Sequence, residues 1–228
     1  MRTGLRGPNA AAAGTIPYRV VVAGAELQLL ILAADVGGCV GVDLDSGAFV
    51  RPSHPPVPTA DLAVPFDIVA AEIAGSIEPP DASRPEALEL AGTPEVIGQL
   101  LPRKAERLLA PLNHPPQLPL LGMPGNAVQY WTLAGESPSL ALIEVRSDAR
   151  LREGPFGPEC HFVWQGADHE LMLTDRRGLS AVAAFPRPTR GDVQQLLGYR
   201  PRRLLIMLTE PVQGYCHKSV AALLPAAR

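Results

Sequence analysis

The chain has 228 residues, 46% of them hydrophobic, with 25 Pro and 21 Gly; together with a mean hydropathy of +0.10 this excludes wholesale disorder and points to many short elements separated by tight turns. A net charge of −3 and an isoelectric point near 6.0 exclude the whole-molecule basic field of a general nucleic-acid coat, so any anion site is a local patch. Three cysteines, Cys39, Cys160 and Cys216, are odd in number and widely spaced, which fits the reduced, buried thiols of a cytoplasmic protein better than a disulfide framework.

Residues 1–18 carry Arg2, Arg6 and an Ala run broken by Gly14 and Pro17, a composition that reads as a disordered leader and not as a signal peptide. From Val20 to Val42 the chain is apolar enough to pass for a membrane span. Glu26, Gln28 and Asp35, with Gly24, Gly37 and Gly38, instead divide it into two buried strands joined by a turn, so no membrane is expected as a partner. Cys39 to Ser53 reads as a hairpin: Val40, Val42 and Leu44 alternate, Asp45-Ser46-Gly47 turns, and Phe49-Val50 resumes before Arg51-Pro52 halts pairing. Phe66 to Ile73 predicts a further strand with Asp67 and Glu72 on its solvated flank.

Thr93 and Pro94 then supply a helix start, with Val96, Ile97, Leu100 and Leu101 at near-helical spacing and a further turn over Arg103–Leu109. The cations Arg103, Lys104 and Arg107 read as a solvated helix face. His114 to Asn126 is a Pro-rich connector, and Ala127 to Leu133 a short edge strand. Ser139 to Arg146 is a strand with an apolar centre. His161 to Asp175 repeats the hairpin plan, with Phe162 and Trp164, a turn over Gln165–Asp168, and Leu171 and Leu173. Gly191-Asp192 opens a helix that packs Val193, Leu196 and Leu197 inward and stops at Gly198. Leu204 to Leu208 has the length of a buried strand, and a last element runs through Val220 to Leu224.

The blocks Gly38-Cys39-Val40-Gly41-Val42-Asp43, Phe49-Val50-Arg51-Pro52-Ser53, Phe66-Asp67-Ile68-Val69, Ser139-Leu140-Ala141-Leu142-Ile143, Phe162 through Leu173-Thr174-Asp175, and Tyr215-Cys216-His217-Lys218-Ser219-Val220-Ala221-Ala222 resemble, in order, the dual OB-fold-containing domain family. The resemblance spans about residues 20 to 225. It departs from the family where Phe49 stands one residue further from Arg51-Pro52, and where Arg176 follows Thr174-Asp175 in place of Pro. The resemblance implies a prokaryotic nucleic-acid-binding protein in a defence or regulatory setting. The expected class is mainly β, with two OB-like small β-barrels packed together and a short helical insertion. Its expected divisions are a first barrel over 19–84, a helical insertion and connector over 85–137, and a second barrel over 138–228 whose C-terminal strand is available to complete the first.

OB-like barrels bind single strands by stacking bases on aromatics of an open face while loop-end cations meet the phosphates. Candidates for stacking are Phe49, Phe162, Trp164 and Tyr215, and for phosphate contact Arg51, Arg176, Arg177, Arg202, Arg203 and Lys218. Alternation with polar neighbours gives Phe49, Phe162 and Trp164 a competing reading as core. Cys160-His161 and Cys216-His217 are adjacent, so each pair points to opposite faces and does not suggest a zinc cage. Asp43, Asp45, Asp67 and Asp175 near strand ends are the best case for a metal-dependent enzyme, yet Asp45-Ser46-Gly47 is ordinary turn chemistry. The sequence lacks a Ser/His/Asp order, a glycine-rich phosphate loop and an HExxH. We therefore expect a binding module with no catalytic residues, no metal and no cofactor, whose partner is single-stranded DNA or RNA, the alternative being a protein-interaction module or accessory subunit.

Overall fold

The computed structural model describes residues 22–35, 38–53, 64–76, 81–117, 119–133, 137–185 and 189–225; the expected leader lies outside them. Five strands, β1 (Glu26–Asp35), β2 (Gly38–Asp43), β3 (Phe49–Ser53), β4 (Asp67–Ser76) and β5 (Ala87–Gln99), close into a barrel in the order β1-β2-β3-β5-β4. All its pairings are antiparallel except β3 with β5. Gly41 permits the tight β1–β2 approach, because a Cβ there would lie 2.6 Å from both Leu29 Cγ and the Leu30 carbonyl oxygen. Alternation along β1 sends Leu27, Leu29 and Ile31 into the barrel with Val50, Val69, Ile73, Leu88 and Leu90.

The helix expected from Thr93 is corrected: residues 87–99 are β5, and helix begins only at α1 (Pro102–Leu109). The first barrel thus extends past residue 84 into the span expected to be helical. Pairing with β4 along its length overrides the helical spacing, and leaves Val96 and Ile97 44% and 50% exposed. Asp67, expected on a solvated flank, is buried and accepts a hydrogen bond from Gln99 Nε2 at 3.0 Å, whereas Glu72 is exposed.

The second half carries β6 (Ala127–Gln129), β7 (Leu140–Glu144), β8 (Arg150–Gly154), β9 (Gly157–Trp164), β10 (Ala167–Leu173), α2 (Arg176–Ala184), α3 (Arg190–Leu197), β11 (Pro201–Leu208) and β12 (Tyr215–Pro225). Its sheet runs β7-β11-β12-β10-β9-β8, with β6 on β12. The ends of that path, β7 and β8, are consecutive in the chain. Taken as one interrupted strand they pair with β11 and β9 as β1 pairs with β4 and β2, and β10 runs parallel to β12 as β3 does to β5. Both halves therefore share one strand order. The C-terminal strand β12 pairs within the second unit and does not complete the first barrel.

Gln165 (φ 52°) and Gly166 (φ 78°) form a two-residue turn that sets the β9–β10 register, shorter than the expected turn over 165–168. The helix α2 was not expected from the sequence; Asp175 caps it by accepting from Gly178 N, and its other oxygen accepts from Leu223 N at 2.9 Å. Thr189 and Asp192 form a capping box for α3, which ends at the left-handed Gly198. Val193 and Leu197 are buried as expected, but Leu196 is exposed.

The two units share a third apolar cluster. Leu30, Leu32, Val40 and Val42 on the outer face of the first barrel meet Leu140, Leu142, Leu205, Met207 and Leu224 of the second, with Ala105 and Leu109 of α1. Polar contacts fasten the same seam. Glu86 accepts from Ser139 N at 2.9 Å and from the Ser139 hydroxyl, Arg51 N donates to the Glu86 carbonyl at 3.0 Å, and Arg51 Nη1 donates to the Leu208 carbonyl at 3.2 Å. Arg203 of β11 grips Glu106 of α1 with both terminal guanidinium nitrogens.

Burial raises the Glu86 carboxyl above its ordinary value of 4.5, against the lowering by the Ser139 hydrogen bonds and the Arg51 charge. A carboxyl raised in the fold contributes stability that is present below its unfolded value and lost as pH climbs through its folded value. Urea unfolding at a series of pH values is thus expected to show Glu86→Gln gaining on wild type as pH rises above 4.5; a pH-independent difference would mean the carboxylate is solvated.

Candidate functional site

The strands β8–β10 line an open groove, mostly through their outer face, with Leu151, Phe162 and His169 reaching it from the inner face. Strand alternation directs Leu151, Cys160, Phe162, Trp164, Leu171 and Leu173 inward, so Arg150, Arg152, Glu159, His161, Val163, Asp168 and Glu170 face out. Register places Arg150, His161 and Glu170 in one row across the three strands and Arg152 beside Glu159 in the next. His161 Nε2 lies 3.3 Å from Glu159 Oε2 and 3.1 Å from Glu170 Oε1. Arg152 Nη2 contacts both acids, at 3.4 Å to Glu159 and more closely to Glu170.

One wall of the groove is the 147–150 segment with Arg200, whose Nε donates to Asp148 Oδ1 at 2.5 Å; the other includes Thr189 and Val193 at α3. Arg150 is exposed and enters no ion pair among the described residues. His169 also lines the groove, stacked on Phe162 with ring centroids 5.2 Å apart and planes 13° from parallel. Burial, and next the charge of Lys218, hold its imidazole below the ordinary 6.5, so it is a neutral ring at neutral pH. Beyond β10, Asn126 donates to the Glu170 carbonyl, leading to an exposed aromatic pair: Trp131 (66% exposed) stands edge-on to Tyr215 (41% exposed) at 6.0 Å.

Several residues expected to bind ligand are held by the fold instead. Trp164 and Phe162 are buried in the second core, and Phe49 packs half-buried on the shared cluster, so none offers an open face for stacking. Lys218 lies on the inward face of β12 between Cys216 and Val220, and its ammonium donates to the Met123 and Gly125 carbonyls, each at 2.6 Å. Arg177 donates to the Leu197 carbonyl at 2.5 Å and lies over the Tyr199 ring, tying α2 to α3. Arg51 and Arg203 serve the seam, and Arg202 donates to the Arg146 carbonyl at 2.9 Å. Arg176 is exposed at the start of α2, facing a small cavity with Ile31–Ala34, away from the groove residues. Of the expected set, Tyr215 is the aromatic left open to solvent.

The acids expected at strand ends are dispersed. Asp43 accepts from Ser46 N at 3.1 Å within its turn, Asp45 is exposed, Asp67 pairs with Gln99, and Asp175 is a cap. The three cysteines are buried thiols, and Cys160 points inward while His161 points out, as strand alternation requires. The groove residues Arg150, Arg152, His169 and Glu170, and Glu159 and Trp131 beside them, were not singled out from the sequence. A two-residue turn at Gln165-Gly166 was the available signal, since it alone pairs Glu170 with His161.

Burial of the ammonium pushes Lys218 down to about 8 from 10.5. The folded state then binds fewer protons than the unfolded chain between those values, so this residue's contribution to stability rises with pH across that window. Denaturant unfolding is expected to show wild type gaining on Lys218→Met as pH rises from about 8 toward 10.5, whereas a constant difference would show a solvated amine. Comparison with protein-family models, with curated proteins and with solved structures finds no match to this chain.

Proposed function

We propose that the chain is a non-catalytic binding module for single-stranded nucleic acid, built of two OB-type units, with its binding surface in the β8–β10 groove of the second. The observation that carries this reading is the strand order that both halves share, with the third and fifth strands parallel, combined with an open groove over the first three strands of the second half. In OB-type barrels that second-and-third-strand face is where oligonucleotides lie. The groove and the surface beyond β10 supply the two kinds of group a single strand needs: Arg150, Arg152 and Arg200 of the groove for phosphates, and His169 of the groove with the Trp131–Tyr215 pair beyond β10 for base faces. The resemblance to the dual OB-fold-containing domain family favours the same reading, and the mild net charge of −3 makes the binding local.

Fluorescence anisotropy with labelled single-stranded DNA and RNA at low and moderate salt tests this. Salt-sensitive binding is expected, and Arg150→Glu should weaken it and flatten the salt slope by about 0.7 for each phosphate that is no longer neutralised. Trp131→Ala should weaken binding by about 1–3 kcal/mol with the slope unchanged. Absence of binding at low salt overturns the reading and transfers the assignment to a protein-interaction module that uses the exposed Trp131, Tyr215 and Val212 surface.

A further inference from the structure

We infer that Glu159, His161 and Glu170 form a binding site for one divalent transition-metal ion of the zinc class on the outer face of β9 and β10. The inference does not rest on the nucleic-acid reading. A single imidazole nitrogen, His161 Nε2, faces two carboxylate oxygens, at 3.3 Å and 3.1 Å. A ring nitrogen carries at most one proton, so His161 can donate to only one of those oxygens, and the Arg152 guanidinium is what now serves both. A cation at their common focus satisfies all three groups. Ligand atoms about 2.0–2.2 Å from a zinc-class ion sit roughly 3.0–3.5 Å from one another, and both separations from His161 Nε2 fall in that range. All three ligand atoms lie within 4.8 Å of one another.

The backbone fixes this arrangement. Glu159 and His161 are two apart on one face of β9, and Glu170 is the cross-strand partner of His161. Arg152 is the present counter-cation of both carboxylates. Two carboxylates and a neutral imidazole balance a divalent ion, so the ion replaces the guanidinium and Arg152 swings free. A nitrogen ligand beside two oxygens favours zinc, cobalt, nickel or manganese over calcium and magnesium, which take oxygen sets. Three protein ligands leave at least one position for water.

The test is calorimetric titration of the full chain, stripped with chelator, with zinc, paired with cobalt absorption spectra. One equivalent is expected to bind in the micromolar range or tighter. His161→Ala and Glu170→Gln should each weaken it by at least about tenfold, Arg152→Ala should tighten it by removing the competing cation, and the control His217→Ala should leave it unchanged. Far-UV circular dichroism checks that each variant is folded. Failure to bind, equal affinity in His161→Ala, or a thiolate-to-cobalt charge-transfer band placing the ion on cysteine would each overturn the assignment. None of these outcomes involves nucleic acid, so failure here is separable from failure of the groove as an oligonucleotide site.

Discussion

Burial of the first barrel's outer face against the sheet of the second unit is the constraint on which the rest of the structure depends. A small barrel on its own hides one side of each strand, and the alternation of side chains leaves the other side to water. Here β1, β2, β7, β11 and β12 are apolar on both sides. Leu27, Leu29 and Ile31 fill one core while Leu30 and Leu32 enter the shared cluster, and Leu204, Ile206 and Leu208 fill the second core while Leu205 and Met207 meet the first barrel. Fully burying each such leucine is worth about 1.5–3 kcal/mol. The seam is thus of the same kind as the two cores it joins, and the Glu86–Ser139 and Arg203–Glu106 pairs set its register.

That seam decides which surface is left for a ligand. It covers the faces of β7, β11 and β12 on one side of the second unit, so the remaining outer sheet, β8 to β10, is where polar side chains stand in the open. The cations there are balanced by acids, which suits a protein of slight negative charge: Arg200 is paired with Asp148 and Arg152 with Glu159 and Glu170, so attraction to an anion comes first from Arg150 at the rim. Lys218 shows the opposite fate. It lies on the inward side of β12, close enough to His114 and His169 to lower both imidazoles, after burial as the larger cause, and it anchors the 123–125 segment beside the groove.

Much of the fold was legible because it rests on local periodicity. The hairpins around Asp45-Ser46-Gly47 and Gln165-Gly166, the inward run Phe162 and Trp164, and the helix closed by Gly198 all follow from alternation and turn chemistry. Thr93 to Leu101 misled because its apolar spacing suits a helix as well as a strand, and only β4, over twenty residues upstream, decides between them. The site was less legible. Strand ends attracted attention to Arg51 and Lys218, although the parity of Cys216, Lys218 and Val220 already put Lys218 on the apolar side. The outward residues Arg150, Glu159, His161 and Glu170 are spread over three strands and meet only through the registers of two successive hairpins. No composition or motif marks them.

Whether the two units unfold as one body can be tested through the positions of the two tryptophans, Trp131 and Trp164, both in the second half. Tryptophan fluorescence therefore reports on the second unit, while far-UV circular dichroism reports on strands of both. Equilibrium denaturation followed by the two signals should give coincident transitions, because the shared cluster cannot be lost from one unit and kept by the other. A dichroism transition displaced from the fluorescence transition, or a second dichroism phase with no fluorescence change, would contradict the account and make the two units independent domains.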